Sequence, residues 1–210
     1  MNEPAPDRRP IAARGLKVNI MLAEWLIARR ASPNGISVGG MVAALLAGLV
    51  FTQAPAHPLL WLLGALLVQT RLMANLLDGM VAIGRNVASP LGEVFNEVPD
   101  RVSDTAVLLG IGIGCEHIAL GLAASLAAMA TAYIRVTGKS CGQRSDFCGP
   151  MAKQHRMAVV TAIAIWCAFA PEWLARPVPE LALWFILALA SLTAARRLHR
   201  LARALQMAQS

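Results

Sequence analysis

Charge is what this 210-residue sequence has least of: only 15% of its residues are Asp, Glu, Lys or Arg, against about 25% in ordinary soluble domains. Aromatic residues are scarce too, 5% with a single tyrosine, while 57% of the chain is hydrophobic. A soluble domain of this length leaves too much chain at its surface to hide that fraction. The same composition excludes a disordered chain, a coiled coil and a collagen-like repeat. Cysteine is limited to four residues. Cys141 and Cys148 have no histidine at metal-finger spacing, Cys115 and Cys167 lie at or within apolar stretches, and free thiols are expected. The polar, proline-containing start of the chain lacks the apolar core of a cleavable signal peptide. Acids are the scarcer charge, 12 against 19 basic residues for a formal net charge of +7, so the position of each acid carries information.

What is present instead is long apolar stretches. A helix needs roughly 20 residues to cross about 30 Å of hydrocarbon. Six stretches approach that length: 37–52, 59–77, 94–114, 118–136, 157–173 and 181–195. The second and third are the least apolar, carrying Arg71, Asp78, Glu97, Asp100, Arg101 and Asp104. Residues 16–27 form a separate element, with Val18, Met21, Leu22 and Trp25 at helical spacing opposite Lys17 and Glu24. It is too short to span and reads as an interfacial amphipathic helix. The expected fold is an all-α integral membrane protein of six transmembrane helices behind that interfacial helix. The expected divisions are a polar tail over 1–15, the interfacial helix over 16–30, the six-helix domain over 31–200 and a cytoplasmic tail over 201–210.

Basic residues alternate with the connections. Arg8, Arg9, Arg14, Lys17, Arg29 and Arg30 precede the first stretch, and the first connection has none. Arg85 lies in the second connection, none in the third, and Arg135, Lys139, Arg144, Lys153 and Arg156 in the fourth. Only Arg176 lies in the fifth, and Arg196, Arg197, Arg200 and Arg203 follow the last stretch. By the positive-inside rule both termini are expected to be cytoplasmic, and the expected location is a bacterial inner membrane. The five tryptophans lie mostly near stretch ends and read as interfacial anchors. The last arginines continue the sixth helix into the headgroup layer.

Five of the 12 acids fall between Asp78 and Asp104. Ionisable groups at membrane depth are costly, and usually paired, water-facing and functional. Asn96, Asp100 and Asp104 recur at i, i+4, i+8 along one helix face, with Glu93 and Glu97 beside it. Asn75 and Asp78 share a face of the preceding helix. Two such helices present hard oxygen donors suited to Mg²⁺ or Mn²⁺. The link Gly79–Gly84, then Ser89-Pro90-Leu91-Gly92, offers small residues that let a phosphate approach the backbone. The alternative is structural: Asp100 pairs with Arg101 or Arg71, and Asp78 ends the second helix at Gly79.

From Asn75 to Asp100 the sequence reads Asn75-x2-Asp78-Gly79-x2-Ala82-Ile83-x8-Gly92-x3-Asn96-x3-Asp100. This resembles the signature of the CDP-alcohol phosphotransferase family, D-x2-D-G-x2-A-R-x8-G-x3-D-x3-D, with every spacing kept. Pro33-Asn34-Gly35-Ile36-Ser37 resembles the family's P-N-x-I-T entry to its first span, and Ala132-Tyr133-Ile134-Arg135 its S-Y-x-R. The resemblance covers most of the chain. It implies transfer of a phosphatidyl group from a CDP-alcohol, expected to be CDP-diacylglycerol, to the hydroxyl of a second polar alcohol, with CMP released. It also implies two divalent cations, Mg²⁺ or Mn²⁺, a homodimer among membrane lipids, and no nucleic-acid partner.

Carried over by position, Asp100 is the general base. Asn75, Asp78, Asn96 and Asp100 hold metal, and Asn75, Asp78, Gly79, Ala82, Ser89 and Gly92 line the CMP site. The sequence departs from the signature at three places: its first and third Asp are Asn75 and Asn96, and its Arg is Ile83, with Arg85 two residues on. Glu93 and Glu97 are expected to restore the missing charge as metal ligands. Arg135, with Lys153 and Arg156, is expected to bind a phosphorylated acceptor, although a basic loop also serves as a topology signal. Gly149-Pro150-Met151-Ala152-Lys153 stands where the family has G-K-x-K-T. Two other functions remain open: a non-catalytic relative binding CDP-lipid or a divalent ion as a partner subunit, and a transporter, which no visible inverted repeat supports.

Overall fold

A computed structural model describes residues 15–87 and 90–207. Ser89, most of the N-terminal tail and the last three residues lie outside the described residues. The elements are α1 (Lys17–Ala28), α2 (Pro33–Gln53), α3 (Pro58–Gly84), α4 (Pro90–Gly114), α5 (Ile118–Ser140), α6 (Lys153–Phe169), α7 (Glu172–Ala175) and α8 (Val178–Met207). No strand occurs among the described residues. Four segments, Pro33–Gln53, Pro58–Gly84, Ile118–Ser140 and Glu172–Met207, are long and apolar enough to cross a membrane. The chain is an integral membrane protein of helices.

Local chemistry sets the helix ends. Ser32 caps α2 by accepting the Gly35 N–H at 3.3 Å, and prolines at positions 33 and 58 supply the fixed φ of a first turn. The α3 helix ends in a Schellman turn, with Asn86 at φ 53° and the Val87 N–H bonded to the Ala82 carbonyl at 3.0 Å. It therefore runs straight through Asp78 and Gly79. The expected link over 79–84 is helix, because burial of Leu76, Leu77 and Val81 outweighs a glycine penalty of about 1 kcal/mol. Likewise Gly92 lies in α4, not in a loop, and α8 carries the expected C-terminal tail as helix to Met207.

The core joins α2, α3 and α4 tightly. Gly48 and Gly110 meet at the α2–α4 crossing so closely that a Cβ on Gly110 would collide with the Gly48 carbonyl. Small residues at such contacts are how membrane helices approach one another. Trp61, expected as an interfacial anchor, is instead a core residue: its ring sits 5.5 Å from that of Phe51, and Gly64 makes room for Phe51. In α1, Asn19 and Ala23 face the protein, leaving Val18, Met21, Leu22 and Trp25 exposed.

The start of α2, the end of α3, the first half of α4, the end of α5 and the start of α6 meet at one end of the bundle, joined by Ser37–Asp78, Arg71–Asp100, Arg135–Glu97 and Lys153–Asp100 contacts. Successive helices alternate direction, so residues far apart in sequence converge there. That end holds the candidate site.

Candidate active site

Asp78 on α3 is buried, and its Oδ2 accepts the Ser37 hydroxyl at 2.5 Å. Its other oxygen, Oδ1, is buried without a hydrogen-bond partner among the described residues. A bare carboxylate oxygen inside a protein is costly unless something binds there. Beside it Gly79 opens onto free space: a Cβ there would meet nothing within 4 Å.

Asp100 on α4 is the opposite case. Arg71 and Lys153 both bond its Oδ1, and Arg101 Nη2 lies 3.8 Å from its Oδ2. The pairing of Asp100 with Arg71, the structural alternative above, is present. The accompanying idea that Asp78 ends the second helix is not, since α3 continues to Gly84. Arg71 is itself fixed: its Nε donates to Ser103 Oγ at 3.0 Å, and its Nη2 approaches Asn75 Oδ1 at 3.5 Å. Sequence reasoning gave Arg71 no place in the site. The signal available was an arginine within an apolar helix, one turn before Asn75.

One turn further along α4, Asp104 accepts Arg156 Nη2 at 2.6 Å, both buried, while Arg156 Nη1 donates to the Met151 carbonyl at 2.9 Å. Arg156 is thus a strut between α4 and α6 rather than a free cation. Glu93 and Glu97, expected as ligands, lie on a face of α4 turned toward α5. Glu97 Oε1 accepts Arg135 Nη2 at 2.6 Å, and Glu93 pairs with Lys139. The reason is helical rotation: Glu97 follows Asn96 by one residue and so points about 100° away from the Asn96–Asp100–Asp104 face. Among the described residues no group of three His, Cys, Asp or Glu is close enough to hold an ion.

A cavity of about 500 Å³ lies next to this cluster, between the ends of α5 and α8 and the loop that follows α5. Arg135, Arg144, Arg197 and Arg200 line it, with Asp146 the acid among its lining residues. Arg197 does not extend into the headgroup layer as expected. It is buried, donating to the carbonyls of Cys148 at 2.9 Å and Thr131 at 2.7 Å, and so pins the loop to α5. Arg85, two residues past the motif's arginine position, donates to the Arg30 and Ala31 carbonyls at 3.1 and 2.6 Å and ties α1 to α3.

No protein-family model matches the chain. Its sequence is 30% identical over 192 residues to a phosphatidylinositol phosphate synthase of Mycobacteroides abscessus, covering 87% of this chain and 83% of that one. It is 26% identical over 151 residues to Inner membrane protein YnbA of Escherichia coli, 71% and 75% of the two chains. Its fold is similar to that of the Mycobacterium tuberculosis phosphatidylinositol phosphate synthase solved with CDP-DAG bound: TM-score 0.75 at 22% identity, covering 89% of this chain and 94% of that one. The same synthase has been solved in complex with manganese and citrate, again at a TM-score of 0.75.

Proposed function

The chain belongs to the CDP-alcohol phosphatidyltransferase family, and on that premise we propose that it transfers a phosphatidyl group from CDP-diacylglycerol to the hydroxyl of a phosphorylated polar alcohol, in phospholipid synthesis. The observation that carries this reading is the meeting of Asp78, with its bare oxygen and the open space at Gly79, and Asp100 at the bundle end that also holds an arginine-lined cavity.

In the reaction the acceptor's hydroxyl oxygen attacks the phosphorus of the phosphatidyl group. The new P–O bond forms as the bond to the CMP oxygen breaks, and the hydroxyl proton passes to Asp100. Gly79, Ala82 and Gly92, with Ser89 carried over from the signature, line the nucleotide side together with Asn75 and Asp78. The divalent cofactor, Mg²⁺ or Mn²⁺, would be held by Asp78, whose Oδ1 is bare, with Asn75 and Asn96, carried over from the signature, as further hard oxygen donors. When bound it offsets charge on the transferred phosphoryl and the departing CMP. Glu93 and Glu97 stay outside that set, held by Lys139 and Arg135.

The cavity supports an anionic acceptor. Arg135 lines it and also bonds Glu97, one turn before Asp100, so an acceptor phosphate held there leaves its hydroxyl near the base. Lys153 and Arg156 act behind Arg135, Lys153 at Asp100 and Arg156 as the strut. We further place α2 to α6 and α8 as six spans of an inner membrane, both termini cytoplasmic, with α1 lying in the interface. The alternating basic connections and the exposed apolar residues of α1 support that arrangement. A homodimer is carried over from the resemblance alone.

The test is CMP release by the purified protein in lipid nanodiscs with CDP-diacylglycerol and Mn²⁺, across inositol phosphate, glycerol phosphate, inositol, glycerol and serine. Release with a phosphorylated acceptor is expected. Release with unphosphorylated alcohols alone would overturn the acceptor class. No release with any acceptor, with CDP-lipid still bound, would leave a non-catalytic binding subunit.

A further inference from the structure

Two carboxylates face the site, and their own chain treats them differently. Asp100 is already neutralised: Arg71, 2% exposed, and Lys153 both bond its Oδ1. Asp78 has no ion pair among the described residues, accepts the Ser37 hydroxyl and keeps one buried oxygen bare. Where further carboxylates would balance further positive charge, the chain has the neutral amides of Asn75 and Asn96. The geometry points to a single divalent cation, held at Asp78, with the side-chain cations of Arg71 and Lys153 standing on Asp100 in place of a second ion. This inference rests on the transferase reading of the same site and concerns its ion count.

The ion pairs at the bundle end leave little negative charge for a second ion, because Arg101 also reaches Asp100 and Glu97 while Arg135 and Lys139 take Glu97 and Glu93. Asp104 and Arg156 cancel as a buried pair. Asp78 and Asp100 are then matched by Arg71 and Lys153 before any ion or substrate enters. One divalent ion adds two positive charges, and a diphosphate ester brings two negative ones. A second ion would add two more positive charges beside Arg71, Lys153 and Arg101, where Asp100 and Asp104 already have cationic partners, and buried charge without a partner is strongly unfavourable.

Arg71 is also built into its position rather than resting there. Gly40 on α2 makes the room: a Cβ there would lie 3.1 Å from Arg71 Nη1 and 2.7 Å from Ala74 Cβ. Ser103 holds Nε, Asp100 holds Nη2, and Nη1 is buried without a partner, a donor left over for a phosphate oxygen. Lys153 is set by the strut three residues later, since Arg156 on Asp104 brings the start of α6 against α4.

Counting bound Mn²⁺ tests this. The folded protein is equilibrated with Mn²⁺, with and without CDP, and the bound metal is measured by elemental analysis and electron paramagnetic resonance. One Mn²⁺ per chain with the spectrum of an isolated ion is expected in both conditions. Two per chain with a spin-coupled spectrum, or none, would overturn the inference. The variant R71Q/K153M removes two positive charges, so it is expected to take up a second Mn²⁺ and to gain thermal stability from the metal. A folded double variant that still binds one ion would overturn the role given to Arg71 and Lys153, and if the variant does not fold the wild-type count still decides. CMP release by the same preparation separates the two readings. Release with two ions bound defeats only the ion count, whereas one ion bound without release under any acceptor defeats only the transferase.

Discussion

Arg156 and Asp104 form an ion pair closed off from solvent, Nη2 to Oδ2 at 2.6 Å with side chains 1% and 4% exposed. The guanidinium also bonds the Met151 carbonyl, and the Met151 N–H in turn bonds Thr193 Oγ1 at 3.0 Å on α8. One arginine therefore locks α4, α6 and α8 at the end of the bundle that holds the candidate site. The same lock sets Lys153 against Asp100.

Breaking that pair from one side leaves a buried charge uncompensated. Asp104→Asn or Arg156→Met is expected to lower stability by about 3–5 kcal/mol, read from chemical unfolding in detergent. The paired replacement D104L/R156M is expected to recover most of the loss. Equal loss in the double variant would mean that the pair is not the interaction being broken.

Two helical glycines separate substrate approach from helix packing. Gly79 faces open space and Gly110 faces the Gly48 backbone. Gly79→Ala is expected to keep or raise stability, by up to about 1 kcal/mol from helix propensity, while CMP release falls because the new methyl group occupies nucleotide space. Gly110→Ala is expected to lower the unfolding temperature by forcing α2 and α4 apart. Unchanged activity in Gly79→Ala would remove that residue from the nucleotide site.

The two motif carboxylates are expected to fail differently. Asp100→Asn lowers kcat by about 10²–10⁴-fold, the usual range for a lost general base, and still binds Mn²⁺. Asp78→Asn loses Mn²⁺ binding together with activity. Titration of Mn²⁺ into each variant distinguishes them, and loss of Mn²⁺ binding in Asp100→Asn would make that residue a metal ligand as well.

Glu97 is expected to act through Arg135. In Glu97→Gln the KM for the acceptor rises about tenfold, equivalent to about 1.4 kcal/mol and in keeping with a lost charge-assisted hydrogen bond, while kcat and Mn²⁺ affinity hold. Glu93→Gln is expected to change little, because its pair with Lys139 is solvent-exposed and such pairs are worth about 0–1 kcal/mol. A Glu97→Gln loss as deep as that of Asp78→Asn would return Glu97 to the metal set.

Much of this was legible in the linear chain because it depends on local spacing. Hydropathy located the long helices, since apolar length is what a bilayer selects. The i, i+4, i+8 stripe of Asn96, Asp100 and Asp104 required only helical geometry, and the signature spacing required only counting. Periodicity also located the helical arginines after the sixth stretch, but not the direction in which Arg197 turns.

What the sequence by itself determined is a helical membrane protein whose few acids crowd into one segment of family-like spacing. Only the tertiary structure decided how those acids are spent. Glu93 and Glu97 go to α5, Asp104 to Arg156, and Asp100 to Arg71 and Lys153, leaving Asp78 the acid of this segment with no ion pair among the described residues. The physical reason is that pairing is set by which helices pack side by side. Lys153 lies 53 residues from Asp100, a separation over which no periodicity in the chain carries information about contact.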